Sequence, residues 1–308
     1  MQNYLGIDLG GTNIKFCILS IDGGNIRELD KGSIDTESTF GPDHVTQRIA
    51  DLINSLSMRA IFHQVAIAVP GIFDHEKKEI LLFPNLPGNW ENYPLASRIA
   101  RLTDKNISLI NDARAFCLAE STLGAGRGHR FIACIVLGTG VGGGLVIDGK
   151  IHEGVTKGAG EIAHQIVLHD GPLCGCGSRG CLEALTSSAA ISKLANSSNP
   201  EEAYKQALSG DPKAISAFKE VGRWLGIGLA NVNAVFSPSI FIIGGGVAQA
   251  GNMLIDYIRE ELHKRNNLWS NSNFEVKPAQ LSFFAGATGA ALKAAEASGT
   301  QFNFTSMT

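Results

Sequence analysis

The chain has 308 residues, 44% of them hydrophobic and 18% charged, with a net charge of −3; that length holds two domains with separate cores, and the composition is ordinary for a globular protein. Charges of both signs are interspersed, which gives neither a basic stripe for nucleic acid nor a polybasic membrane anchor. The opening MQNYLGIDLGG lacks the regions of a signal peptide and no apolar run approaches the roughly 18 residues of a membrane span, so the expected location is the cytoplasm, where thiols stay reduced.

In chain order, YLGIDLGGTNIKFCIL reads as strand, glycine turn, strand: Leu5, Ile7 and Leu9 alternate before the turn, and Ile14, Phe16 and Ile18 after it. A third strand is predicted near 26–34, a helix near 43–57 and a buried strand in HQVAIAVPG, which ends at Pro70-Gly71. A loop containing FPNLPGNW leads to a helix near 94–103 and the strand ISLI. That strand ends at Asn111-Asp112, and ARAFCLAESTL is helical. The pattern then restarts. FIACIVLGTGVGGGLVIDGKI is again strand, glycine turn, strand, with Asp148-Gly149 signalling a hairpin to a further strand. SIFIIGGG is a later strand before the helix GNMLIDYIREELHKR, and GAALKAAEAS is a last helix free to pack back on the first half. The organisation is a faint internal repeat of two α/β halves, each led by a β-hairpin with a glycine turn.

The 36 glycines cluster inside apolar runs, where backbone must come close to something. Gly138, Gly140 and Gly143 match GxGxxG, but a dinucleotide fold needs a helix next and here a strand comes instead. GGGVAQAG lies between strand and helix, yet Gln249 stands where its third glycine belongs. Either glycine turn alone reads better as a tight hairpin. Two of them, with Thr12, Lys15 and Thr139 as added donors, point to a cradle of backbone N–H groups for phosphate. Asp8 lies in an apolar strand, where a carboxylate is costly unless paired, and beside such a turn it suits Mg²⁺. Asn111-Asp112 suits a helix N-cap, and equally a catalytic base, because ligands of open α/β sheets bind at the carboxyl ends of strands.

Three of the six cysteines, Cys174, Cys176 and Cys181, fall within eight residues. With His164 of GEIAH they make a closed set of four ligands, the donor set of a structural rather than a catalytic metal; His169, the other nearby histidine, sits in a polar turn. Cys17, Cys117 and Cys134 lie in apolar runs and are expected to be core residues.

Together, DLGGTNIK, NDA, LGTGVGGG, GEIAH and CGCGSRGCLE resemble the ROK family of sugar kinases and repressors, over about residues 4–298. The resemblance implies a two-domain actin-like ATPase (ribonuclease H-like) α/β fold with a structural Zn²⁺ site, and ATP and sugar in the cleft between the domains. One domain would take 1–118 plus 291–308, the other 119–290 with the zinc loop. Carried onto this chain, Asp8, Gly10, Gly11, Thr12 and Lys15 form a first phosphate motif. Gly138, Thr139, Gly140 and Gly142 belong to a second, and Gly244, Gly245 and Gly246 to the adenosine side. Asp112 matches the catalytic base. Asn111, Glu161, His164 and Glu183 match sugar contacts, with Gly71 and Asn85 on the other wall, and His164, Cys174, Cys176 and Cys181 match the zinc ligands. The implied reaction is Mg²⁺-ATP-dependent phosphorylation of a hexose 6-hydroxyl. Glucose is the first expected acceptor on family frequency, with fructose, mannose or an N-acetylhexosamine as alternatives and a homodimer as the expected assembly. Two positions depart from the family pattern, Arg114 in NDARA and Ala163 before His164, and the first bears on sugar preference. A repressor would carry an N-terminal helix-turn-helix, for which the few residues before LGIDLGG leave no room.

Overall fold

The computed structural model describes residues 1–22, 24–84, 86–267 and 274–300. They form two compact units, Met1–Leu123 with the chain from Phe283 onward, and Gly124–Ser282.

The first unit opens with the antiparallel hairpin of β1 (Gln2–Leu9) and β2 (Asn13–Asp22), and β3 (Asn25–Asp35) pairs antiparallel with β2. Helix α1 (Pro42–Ser57), begun by Gly41-Pro42, leads to β4 (Gln64–Val69), parallel to β1. A small antiparallel pair comes next, β5 (Ile72–Phe73) and β6 (Ile80–Leu82), in the segment expected to be loop. Helix α2 (Leu95–Thr103), β7 (Asn106–Asn111) and α3 (Asp112–Leu123) complete this stretch, and the main sheet has the order β3-β2-β1-β4-β7.

The second unit repeats that plan. β8 (Phe131–Leu137) and β9 (Val141–Ile147) form the leading hairpin, and β10 (Lys150–Ile151) extends it. Four helices not predicted from the chain come next: α4 (Leu182–Thr186), α5 (Ser188–Ala195), α6 (Pro200–Leu208) and α7 (Pro212–Phe236). Asn199 and Asp211 cap α6 and α7, each accepting a backbone N–H at 2.8 Å, and each cap is followed by proline. β11 (Ile240–Gly244), α8 (Asn252–Arg265) and β12 (Glu275–Pro278) close the sheet in the order β10-β9-β8-β11-β12. Numbered within its own sheet, each runs third, second, first, fourth, fifth, with the hairpins antiparallel and the last two pairings parallel. The repeat read from the sequence is therefore a repeat of sheet topology.

The last helix, α9 (Ala285–Ala297), returns to the first unit and lies on β1, β4 and α3. Strand alternation decides which face it meets. Leu5, Ile7 and Leu9 join a core with Ile49 and Ile53 of α1 and Ile99 of α2, so Gly6 and Asp8 face the opposite way. A Cβ on Gly6 would lie 2.0 Å from the Ala287 carbonyl oxygen, so helix and strand touch backbone to backbone. The boundaries read from the sequence, 118/119 and 290/291, fall inside α3 and α9; both helices stay whole in the first unit because they pack on each other. The second core joins Ile135, Leu137 and Ile243 of the sheet to Phe218 and Leu225 of α7 and Leu254 and Ile258 of α8. Among the described residues no helix is long and apolar enough to cross a membrane.

Candidate active site and metal centre

Asp8 and Lys15 are cross-strand partners in the β1–β2 register, and the Lys15 ammonium donates to the Asp8 carboxylate at 3.1 Å. The Lys15 Nζ also stands 4.4 Å from the centre of the Phe283 ring. Asp8 is seated on α9: a Cβ on Gly286 would lie 2.7 Å from its carboxylate. Between the two strands Gly10, Gly11 and Thr12 make the turn, closed by the Gly10 N–H on the Asn13 carbonyl at 3.0 Å. A lone carboxylate beside this turn is the kind of ligand Mg²⁺ takes when phosphate oxygens and waters supply the rest.

At the carboxyl end of β7, Asn111 is the N-cap of α3: its Oδ1 accepts the Arg114 N–H at 3.2 Å. Its Nδ2 donates to the Gly71 carbonyl at 3.3 Å, which ties the start of α3 to the end of β4. Gly71 has φ +118°, and a Cβ there would lie 2.2 Å from the Leu82 carbonyl oxygen, so glycine alone fits. Asp112 is the first residue of α3, and its Oδ1 accepts the Ala113 N–H at 2.7 Å. Asp112 thus stands where a helix N-terminus favours negative charge. Arg114 is buried two residues on, at 3% exposure, so it belongs to the interior of the unit rather than its surface. Asn85 lies outside the described residues.

In the second unit the Gly138 N–H closes the β8–β9 turn on the Gly140 carbonyl at 2.9 Å. Val141 opens β9 and donates its N–H to Glu183 Oε2 at 2.9 Å, while a Cβ on Gly140 would meet that same oxygen at 2.9 Å. Gly142 is already within β9, opposite Val136. Gly244 ends β11, and Gly245, at φ +88°, would place a Cβ 2.2 Å from the Leu137 carbonyl oxygen. The glycine loops at 138–141 and 244–246 therefore meet at the carboxyl ends of adjacent strands, β8 and β11. A dinucleotide helix is absent there: the chain after Gly140 runs straight into strand β9.

The ligand atoms of His164, Cys174, Cys176 and Cys181 all lie within 4.8 Å of one another. Cys174 Sγ is 3.7 Å from His164 Nδ1, and the Sγ atoms of Cys176 and Cys181 are 3.7 Å apart. For metal–sulfur bonds near 2.3 Å and metal–nitrogen bonds near 2.0 Å, the edges of a tetrahedron are about 3.5–3.8 Å, which these two separations match, and three thiols with one imidazole are a donor set that could hold such a cation. Burial pushes the Cys174 thiol up to about 12, whereas a hydrogen bond from the Ser178 backbone brings Cys176 down to about 7. His169 stays out of the cluster, almost fully exposed and paired with Asp170 at 3.0 Å. Glu161 precedes the short turn Ile162–His164, and Glu183 lies in the helix just after Cys181, with its Oε1 accepting from Cys174 Sγ at 3.2 Å. Cys17, Cys117 and Cys134 are fully buried, as expected of core residues.

The profile of the ROK family matches residues 4–297. The chain belongs to the ROK family. Its fold is the α/β fold with mixed sheets of ROK sugar kinases. It is 36% identical to a glucokinase of Thermotoga maritima, over 93% of this chain and 95% of that one. A ROK hexokinase of Thermus thermophilus superposes with a TM-score of 0.87 at 31% identity, over 97% of this chain and 99% of that one. A ROK family glucokinase of Streptomyces griseus, solved with glucose and AMPPNP, superposes with a TM-score of 0.81 at 31% identity, over 96% and 99%.

Four residues outside the expected set shape the candidate site. Thr36 Oγ1 donates to the Gly10 carbonyl at 2.7 Å, Ser38 Oγ to the Gly11 carbonyl at 2.8 Å and Ser188 Oγ to the Gly138 carbonyl at 2.6 Å; the fourth is Gly286, beneath Asp8. Thr36, Ser38 and Ser188 act on backbone and have no distinctive neighbour in sequence, whereas Gly286 acts through the lack of a side chain and opens the glycine run GATGAA.

Proposed function

We propose that this ROK chain is an ATP-dependent hexose kinase that phosphorylates the 6-hydroxyl of glucose. The observation that carries the reading is the 36% identity to a glucokinase along 93% of the chain. Phosphoryl transfer asks little covalent chemistry of a protein and much positioning and charge stabilisation. Asp112 takes the proton of the sugar hydroxyl, a role worth roughly 10² to 10⁴-fold in rate. Asn111 has one Nδ2 hydrogen and one Oδ1 lone pair beyond its two bonds to the protein, enough to orient a neighbouring hydroxyl. Glu161, His164 and Glu183 are the sugar-binding residues of the second unit in this reading, with Gly71 and Asn85 as further sugar-binding residues. His164 turns Nδ1 to Cys174, which leaves Nε2 for a hydroxyl.

The turns at Gly10–Thr12 and Gly138–Gly142, with Thr139 and Lys15, receive the phosphates of ATP, and Gly244–Gly246 the adenosine side. Mg²⁺, when bound beside Asp8, supplies charge neutralisation at the transferring phosphoryl group. Zn²⁺ would be held by His164, Cys174, Cys176 and Cys181 and would supply order to the segment carrying Glu161 and Glu183; structural zinc contributes roughly 10 to 16 kcal/mol of apparent binding energy in small domains. The shared strand order of the two units supports an actin-like ATPase architecture, with each unit a domain. A cytoplasmic homodimer is the expected setting.

Turnover of ATP to ADP with Mg²⁺ across glucose, mannose, fructose, N-acetylglucosamine and N-acetylmannosamine tests this. Glucose is expected to give the highest kcat/KM. Preference for another sugar corrects the acceptor, and silence on all five overturns the kinase reading.

A further inference from the structure

A trans peptide is planar, so fixing the carbonyl of one residue aims the N–H of the next in the opposite direction. Both glycine turns are fixed in this way. In the first unit the buried Thr36 hydroxyl holds the Gly10 carbonyl, the Ser38 hydroxyl holds the Gly11 carbonyl and the Thr36 N–H holds the Thr12 carbonyl at 2.8 Å. In the second, Ser188 gives one carbonyl, that of Gly138, both its N–H at 3.0 Å and its hydroxyl at 2.6 Å. The next amides in the chain, Gly11, Thr12 and Thr139, lie outside both strand ladders, and among the described residues no acceptor takes them. Successive unengaged amides in a turn, as at Gly11 and Thr12, are the kind of donor that an anion takes. Further along the second turn, the Val141 amide is by contrast committed to Glu183.

We infer that Thr36, Ser38 and Ser188 are positioning residues for the nucleotide: tying back the carbonyls of Gly10, Gly11 and Gly138, they aim the Gly11, Thr12 and Thr139 amides at the phosphates of ATP. The inference rests on the kinase reading and adds to it which amides bind and what orients them. It also ranks the three hydroxyls. Among the described residues Thr36 is the sole partner of the Gly10 carbonyl, and it is fully buried. Ser188 is backed by its own N–H, and the Ser38 bond is exposed to competing water.

Binding of AMPPNP by calorimetry, with glucose binding and thermal midpoint measured alongside, tests this on the full chain. Thr36→Val keeps the shape and removes the hydroxyl. One lost hydrogen bond to a part-buried carbonyl corresponds to a loss of AMPPNP affinity of up to roughly tenfold. Ser188→Ala is expected to lose about threefold and Ser38→Ala less than twofold. Thr36→Ser and Ser188→Thr, which keep the hydroxyl, are expected within twofold of wild type, and glucose affinity is expected unchanged throughout. AMPPNP affinity within twofold of wild type in both Thr36→Val and Ser188→Ala overturns the inference, as do equal losses in the hydroxyl-keeping variants. Should Thr36→Val not fold, Ser188→Ala with Ser188→Thr decides alone. A wild-type chain that fails to bind AMPPNP removes the kinase reading and this inference together, whereas wild-type binding with unaffected variants removes the inference only.

Discussion

Gly286→Ala separates the position of one carboxylate from the stability of the fold. The new methyl carbon would lie 2.7 Å from Asp8 Cγ and Oδ2, where ordinary contact begins at 3.4 Å. Something must give by about 0.7 Å, the difference of those two distances. Helix α9 cannot back away, because it is seated backbone to backbone on two neighbours: Cβ atoms on Gly289 and Gly6 would fall 1.7 Å from the Ala115 oxygen and 2.0 Å from the Ala287 oxygen. Asp8 therefore moves, and with it the Lys15 bond now at 3.1 Å. Since a misplacement of about 1 Å at a reacting centre costs roughly 10²-fold in rate, kcat/KM for ATP is expected to fall about 10 to 100-fold. Stability is expected to change little. Alanine gains about 1 kcal/mol of helix propensity over glycine, and overpacking costs about 1 to 3 kcal/mol. The net, within about 2 kcal/mol, shifts the thermal midpoint of a unit this size by less than about 8 °C. ADP production over a Mg²⁺ titration, with glucose binding by calorimetry, reads both effects. A variant with kcat/KM for ATP within threefold of wild type refutes the seating of Asp8 on α9 as a functional contact.

Removal of the metal is expected to loosen the second unit. If about 3 kcal/mol of the apparent binding energy supports folding, chelation lowers the midpoint by about 6 to 12 °C and raises the KM for glucose; differential scanning calorimetry with metal quantification checks this. Cys181→Ala is expected to abolish stoichiometric zinc, and full retention of one zinc per chain contradicts the ligand set. Gly71→Ala forces a side chain into left-handed backbone 2.2 Å from the Leu82 oxygen. It displaces the carbonyl that holds Asn111, so the KM for glucose is expected to rise about tenfold with the KM for ATP unchanged; a shift in the ATP KM alone argues against the sugar-side placement.

Features of the fold are legible in the chain where their signals are local. The alternation around GIDLGGTNIK and VLGTGVGGG marks both hairpins, and with them the repeat, because strand period and glycine turn lie within a few residues of each other. The His–Cys cluster that could hold a metal is legible for the same reason: three of its four residues fall within eight positions. Helix α7 is not. Its Gly222, Gly226 and Gly228 lower helix propensity, yet they are what lets α8 and Leu182 approach: Cβ atoms there would lie 2.4 Å from Tyr257 Cβ, 2.6 Å from Glu261 Cβ and 2.7 Å from Leu182 Cδ2. Packing overrides propensity in that helix, and a sequence shows only the propensity. β5 and β6, two and three residues long, carry too little pattern to separate from loop. The hydroxyls of Thr36, Ser38 and Ser188 stay hidden because their partners are carbonyls 26, 27 and 50 residues away.

Asp112 is proposed as the base of a sugar kinase. The most direct test is glucose-dependent ADP production by the wild type and by Asp112→Asn, with glucose binding measured on both. Turnover is expected in the wild type, with a loss of at least about 100-fold in the variant and glucose affinity within a few-fold of wild type. Near-normal turnover in Asp112→Asn contradicts the assignment.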